Sequence, residues 1–243
     1  MYKVMSLKKL LKKKQDSYAD KYYGTWVYWN SSVVGNNLKT VFEHLFRKYL
    51  SKDSEVLDLG AGRLPYRDII GEYSDNYYSL DFKKTHEDLD YIGTAAETKL
   101  EDNRFDIVFC NQVLEHVPYP DKALREINRI LKIKGVAIIS TPFLIELHNE
   151  PYDYFRYTKY ALKLISEDNG FEVLELFELG GIFSLTGRYF SKTIILLFYW
   201  IPLIKYVAIV LNILSQKIFG FLDKYIGVKK LFPSEYILVI RKK

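Results

Sequence analysis

The chain has 243 residues, 49% of them hydrophobic, and a formal charge of +5. That is enough to bury the core of one α/β domain, and the charge is modest enough that its placement matters more than its size. The single cysteine, Cys110, excludes an intrachain disulfide and a three-cysteine iron–sulfur site and argues against a covalent thiolate mechanism. Histidine, aspartate and glutamate do not recur at metal-ligand spacing, so no metal is expected.

Residues 1–50 read as a basic and aromatic helical segment. Lys3, Lys8, Lys9, Lys12, Lys13 and Lys14 precede Tyr18, Tyr22, Tyr23, Trp26, Tyr28 and Trp29. Lysines beside rings suit nucleic acid, a solvated helix end, or anionic lipid at about 1 kcal/mol per basic residue. The solvated reading comes first for the lysines alone, and no nucleic-acid partner is expected. The opening MYKVMSLKKLLKKK lacks the apolar core and cleavage site of a secretory leader.

Glu55 to Tyr66, EVLDLGAGRLPY, is a buried strand that breaks into Gly60-Ala61-Gly62. A strand running into a glycine turn forms a ligand crevice at the carboxyl edge of a parallel sheet, with backbone N–H groups facing the ligand. A dinucleotide fingerprint would need a third glycine where Pro65 stands, and Asp58 would add negative charge beside a phosphate. The turn therefore suits a cation better. Asn76 to Phe82 reads as the second strand, with Asp81 at its end where an acid holds ribose hydroxyls. Phe105 to Cys110 is a further strand, followed by Asn111 to Pro118 and a helix with Ala123, Leu124, Ile127, Ile130 and Leu131 at helical spacing. Lys134-Gly135 turns into another buried strand, Val136 to Thr141.

From Pro142 to Tyr160 the chain reads PFLIELHNEPYDYFRYTKY. Loops at the carboxyl ends of strands face the crevice, which puts His148, Glu150, Tyr152, Asp153, Tyr154, Arg156 and Tyr157 where an acceptor would sit. Aromatic planes with an acid and an arginine suit a hydroxylated ring. Tyr152, Tyr154, Arg156 and Tyr157 are the expected substrate contacts, although Arg156 has Asp153 and Glu150 within reach as ion-pair partners.

The acidic-x-Gly-x-Gly turn, with FDIVFCNQVLEHV, helix, LKIKG and VAIISTPF in order, resembles the class I S-adenosylmethionine-dependent methyltransferases and their UbiE-like branch, over roughly Leu38 to Phe177. The resemblance implies a Rossmann-like α/β fold with a seven-stranded, mostly parallel sheet. It implies S-adenosylmethionine as cofactor, held by Asp58, Gly60, Ala61, Gly62, Asp81, Phe82, Thr94, Ala95, Ala96 and Asn111. Leu64 replaces the family's usual glycine or asparagine, and Thr94 stands where an aspartate usually meets adenine. The HNEPYDYFRYT string is similar to a branch associated with bacterial surface polysaccharide assembly. Imidazole is matched to neutral pH, so His148 is the expected base, His116 an alternative and Asp153 a third candidate. Without a Pro-Pro-aromatic loop after Asn111, oxygen is favoured over nitrogen as the methylated atom. A membrane-linked glycan intermediate is the expected acceptor, and a prenyl quinone or other lipid the alternative. A catalytically silent scaffold of the same fold is a third reading.

In this fold the last strand, Glu235 to Arg241, inserts antiparallel beside Phe171 to Leu179. The intervening stretch, an apolar helical insertion at 182–234, far exceeds ordinary connections. The catalytic domain is then 51–181 with 235–243. Ile194 to Ile204 carries no charge, Pro202 breaks the run, and Lys205, Asn212, Gln216 and Asp223 share one narrow helical stripe. One membrane crossing would strand the last strand on the wrong side. The expectation is peripheral contact of 194–224 with the inner face of the membrane, stripe outward, in a cytoplasmic protein. A buried helical cap or a dimer interface would show the same periodicity.

Overall fold

A computed structural model describes Lys21, residues 33–226 and 231–243, with side chains from residue 37 in the first helix. The lysine run and the aromatic cluster that follows it lie outside these residues. The described chain divides into two compact units, one holding residues up to 40 with 180–232, the other 41–179 with 233–243.

The second unit is built on a seven-stranded sheet. Its strands are β1 (Glu55–Leu59), β2 (Asn76–Asp81), β3 (Tyr91–Ile92), β4 (Phe105–Asn111), β5 (Leu131–Pro142), β6 (Phe171–Leu179) and β7 (Glu235–Lys242). Their spatial order is β3-β2-β1-β4-β5-β7-β6. β7 runs antiparallel to both neighbours, pairing Pro142 with Glu235 and Leu179 with Glu235, and the remaining pairs are parallel. This is the expected Rossmann-like sheet. Reversal between β1 and β4 makes the topological switch at which ligands bind.

Both sheet faces are covered, which is why the central strands are nearly continuous apolar runs. Phe109 of β4 turns toward α1 (Val33–Tyr49), where Phe42, Phe46 and Tyr66 ring it at 4.8, 5.2 and 5.0 Å. Val108 and Cys110 alternate to the other face and join Ala123, Leu124, Ile127 and Ile130 of α3 (Pro120–Ile130). Pro120 opens α3 where no N–H is needed. That helix passes directly into β5 at Leu131. The turn expected at Lys134-Gly135 is a bulge inside β5, where pairing shifts from Phe105↔Leu131 to Ile107↔Val136 and Lys134 has φ +67°. Two short helices complete the unit, α2 (Arg67–Gly71) and α4 (Lys159–Asp168), the latter capped by the Thr158 hydroxyl.

The first unit contains an antiparallel pair, α5 (Ile182–Phe198) and α6 (Ile204–Ile226), turned about Pro202 and Leu203. Here the sequence-based expectation is reversed. Asn212, Gln216 and Asp223 are buried rather than water-facing, and Lys205 is half-buried. Asp223 accepts hydrogen bonds from the backbone N–H groups of Phe183 (3.0 Å) and Ser184 (2.6 Å) and from the Ser184 hydroxyl, closing the open N-terminus of α5. Gln216 donates to the Gly187 carbonyl at 2.9 Å. The helices approach closely there, since a Cβ on Gly187 would lie 2.7 Å from Phe219. Uncapped helix ends and buried amides need partners, so the stripe faces α5. The side chains left outside are Leu203, Tyr206, Val207, Val210, Leu211, Leu214, Ile218 and Phe221. By length and composition alone, α6 is long and apolar enough to cross a membrane.

Candidate active site

The glycine turn is fixed by β2. Gly60 and Ala61 donate their N–H groups to the Leu80 carbonyl at 2.7 and 3.0 Å, which folds the chain sharply after Leu59. Gly60 has φ +80°, and a Cβ there would lie 2.2 Å from Val113 Cγ2. Only glycine fits both demands. Leu64, the departure from the family pattern, takes the left-handed conformation itself at φ +57°.

Asp81 is buried at the end of β2. Its Oδ2 accepts the Gly62 N–H at 2.8 Å, while Oδ1 has no hydrogen-bond partner. A buried carboxylate oxygen without a donor is suited to ligand hydroxyls. Asp58 is also buried, with Tyr77 donating to its Oδ2 at 2.9 Å. Burial pushes its pKa up to about 7, against the Tyr77 hydrogen bond and with the neighbouring Asp81 charge adding to the rise. A cation arriving beside it would restore the carboxylate. These features fit a ligand bearing ribose hydroxyls and positive charge. Phe82 is 61% exposed at the mouth of β2, available for stacking. Thr94 is exposed and closes a turn with Glu97 through hydrogen bonds of 3.1 and 3.0 Å, leaving Ala95 and Ala96 half-buried between them. Thr98 anchors that loop to Glu126, whose ionisation burial opposes but whose hydrogen bonds from Arg129 and Thr98 hold it down at about 2. Asn111 has its side-chain oxygen occupied by the Ser140 hydroxyl at 2.6 Å.

The loops after β4 and β5 converge on a second constellation. The Leu114–His116 turn carries Glu115, fully buried, with both carboxylate oxygens lacking a hydrogen-bond partner. His116 Nε2 lies 3.6 Å and His148 Nε2 3.8 Å from Glu115 Oε1. The two imidazole rings are 4.7 Å apart, edge to face. His116 Nδ1 contacts the Tyr152 carbonyl, and Asn149 Nδ2 stands 3.4 Å from its Nε2. The sequence proposed each histidine separately and passed over Glu115. Its only signal was an acid beside a histidine just beyond a strand's carboxyl edge.

Three expected roles change. Arg156 grips both oxygens of Asp153 at 2.6 and 2.7 Å and donates to the Glu146 carbonyl, so it braces the loop. Asp153 is drawn well below the usual carboxylate range chiefly by Arg156, which makes it a poor proton acceptor. Its Oδ2 instead takes the His148 backbone N–H at 2.9 Å and lies 3.4 Å from His148 Nδ1. Tyr157 is buried in the apolar core and donates to the Leu114 carbonyl at 3.2 Å, which makes it a structural residue. Tyr152 and Tyr154 remain exposed at 58% and 45%.

A family model described as a methyltransferase domain matches residues 57–139, the stretch that carries both glycines, Asp58, Asp81 and Glu115. The protein MJ0638 of Methanocaldococcus jannaschii, described as uncharacterized, is 31% identical over 173 residues, covering 66% of this chain and 75% of that one. The chain belongs to the class I S-adenosylmethionine-dependent methyltransferases. Among solved structures, a methyltransferase of this type from Archaeoglobus fulgidus covers 94% of the chain and 99% of its own at 18% identity, TM-score 0.57. The [4+2]-cyclase SpnF covers 83% and 80% at 18% identity, TM-score 0.56. At such identity likeness of structure speaks for the fold alone, and the matched domain carries the assignment of this methyltransferase. S-Adenosylmethionine is its cofactor.

Proposed function

We propose that this methyltransferase methylates a hydroxyl of a sugar or membrane-linked glycan intermediate at the cytoplasmic face of the membrane. One observation supports the reading: Glu115, His116 and His148 come together beyond the carboxyl ends of β4 and β5, the strands next to β1 and its glycine turn. When bound, the cofactor supplies an electrophilic methyl carbon on a sulfonium. Asp81 orients the ribose, and Asp58 complements the positive charge as its carboxylate. Holding acceptor and methyl carbon in line supplies much of the acceleration. The Glu115–His116–His148 cluster activates the acceptor hydroxyl, with Asp153 positioning His148. Tyr152 and Tyr154 offer planes to the C–H faces of a ring.

The lipid side of the reading is supported by the outward apolar surface of α6. The hairpin lies against the bilayer surface with Leu203, Val210 and Phe221 toward lipid.

Labelled donor incubated with a membrane extract, followed by chromatography of the products, tests the acceptor. Label in a glycan-bearing fraction that is stable to base supports the reading. Label in a prenyl quinone would move the assignment to that lipid, and label in protein or nucleic-acid amines would overturn the oxygen assignment.

A further inference from the structure

Glu115 is fully buried, yet neither of its carboxylate oxygens meets a hydrogen-bond donor. Buried carboxylates are normally paired, hydrogen-bonded or bound to a metal. What faces Glu115 is a pair of imidazoles, and one ligand atom from each of Glu115, His116 and His148 lies within 4.8 Å of the others. Three atoms bound to one small divalent ion at about 2.0–2.2 Å stand roughly 3–4.2 Å apart. The separations of 3.6 and 3.8 Å from Oε1 fall in that range.

We propose that Glu115, His116 and His148 bind a divalent transition-metal ion, and that this ion receives the acceptor hydroxyl. The outer nitrogens are arranged accordingly. His116 Nδ1 donates to the Tyr152 carbonyl, which leaves Nε2 as a bare lone pair toward Glu115. His148 Nδ1 faces Asp153 Oδ2 at 3.4 Å, with Arg156 Nη2 also 3.4 Å away, and Arg156 in turn fixes Asp153. Carboxylates and backbone carbonyls behind the ring are how metal-binding imidazoles are held. One carboxylate with two imidazoles selects Zn2+, Mn2+, Fe2+ or Co2+ over Mg2+ and Ca2+, which favour all-oxygen shells. Asn149, whose amide nitrogen lies 3.4 Å from His116 Nε2, swings aside when the ion enters.

Three protein ligands leave coordination positions for oxygen, so an acceptor with two adjacent hydroxyls is the best-suited class. The ion lowers the pKa of a bound hydroxyl, whose proton leaves to solvent. The resulting alkoxide forms the new O–C bond while the C–S bond breaks with its electron pair going to sulfur. The histidines are then ligands, and no free imidazole base is needed. The inference rests on the reading of these loops as the acceptor side.

The experiment strips the full-length protein with chelator and titrates it with Co2+, without methyl donor, following the visible absorption band and the heat of binding. One equivalent with a histidine-type spectrum is expected, and His148→Ala should weaken binding by at least about tenfold. Glu115→Gln should do the same, with circular dichroism confirming the fold. Asn149→Ala should bind at least as well as wild type. The chain has only 4 histidines, so His44→Ala and His86→Ala serve as controls that leave the spectrum unchanged. If either variant fails to fold, the wild type alone decides, through a thermal midpoint raised by Zn2+ and lowered again by chelator. Absence of a Co2+ band and of heat in the wild type overturns the proposal, as does a band that survives His148→Ala. Metal bound as described, with no transfer to any hydroxylated acceptor, would instead refute the acceptor reading and leave the ion site standing.

Discussion

The two units of this protein treat their buried acids in opposite ways. In the sheet unit the strands bury apolar side chains on both faces, and the buried acids Asp58, Asp81 and Glu115 cluster at the carboxyl edges of β1, β2 and β4. Those acids are under-satisfied, with open oxygens on Asp81 and Glu115. In the helical hairpin the buried acid is used up by structure: Asp223 closes α5, and Gln216 holds Gly187, although Asn212 Nδ2 beside it keeps no partner. Apolar side chains cover the outside of α6 instead. The difference teaches that burial of a polar residue says nothing about function until its partners are counted. Among the buried acids, an open oxygen at a strand's carboxyl edge distinguishes Asp81 and Glu115 from Asp223, whose oxygens both hold the start of α5.

The largest break to that comparison is at the turn. Gly60→Val combines a disfavoured φ of +80° with a Cβ lying 2.2 Å from Val113, so a loss of about 3 kcal/mol in stability is expected, together with loss of donor binding. A thermal melt and calorimetry check it. Removing the hairpin joint comes next. Asp223→Ala leaves two backbone N–H groups and the Ser184 hydroxyl without their acceptor, an expected cost of about 2–3 kcal/mol in denaturant unfolding. A smaller loss in Asp223→Asn would show that hydrogen bonding dominates over charge.

Asp81→Ala should weaken S-adenosylmethionine by about 1.5–3 kcal/mol while leaving the fold intact, if the open Oδ1 receives the ribose hydroxyls. Unchanged affinity would mean that the spare oxygen is no mark of a site.

Asp58 gives a pH signature of about 1.4 kcal/mol per unit. Its pKa is raised to about 7 by burial, so below that pH a proton must leave when the cationic donor binds. Donor affinity should therefore fall roughly tenfold per unit as pH drops below 7, and level off above it. Without donor the same shift lowers stability as pH rises from 3.8 toward about 7, because the folded protein holds the proton more tightly than the unfolded chain. A flat binding profile from pH 6 to 8 would remove Asp58 from the charge complement.

The smallest expected effect on stability is the most pointed. Replacing Leu203, Val210 and Phe221 together by Asp should change the unfolding free energy by less than about 0.5 kcal/mol each, since all three are exposed. The same variant should lose binding to vesicles containing anionic lipid if the hairpin meets the bilayer. Equal flotation of variant and wild type would assign the apolar surface another role.

The alternation of apolar strands with helical spacing and the glycine turn made the sheet and its candidate donor-binding edge legible in the sequence. Gly60, Gly62 and Asp81 act within a few residues of the strand ends that position them, and local chemistry suffices to identify such groups. The polar stripe on α6 was equally legible as a periodicity, but not the side it would face. Periodicity gives the angle of a residue around its helix, and only packing against α5 decides whether that angle meets water or the N–H groups at Phe183 and Ser184.

Sequence by itself determined the order of elements, the glycine turn and the family, because each depends on residues near one another in the chain. Tertiary structure alone decided that Tyr157 belongs to the core, that Arg156 restrains Asp153, and that Glu115, His116 and His148 form one cluster. Those roles depend on distances between the loops after β4 and β5, and no spacing within either loop specifies how closely the sheet brings them together.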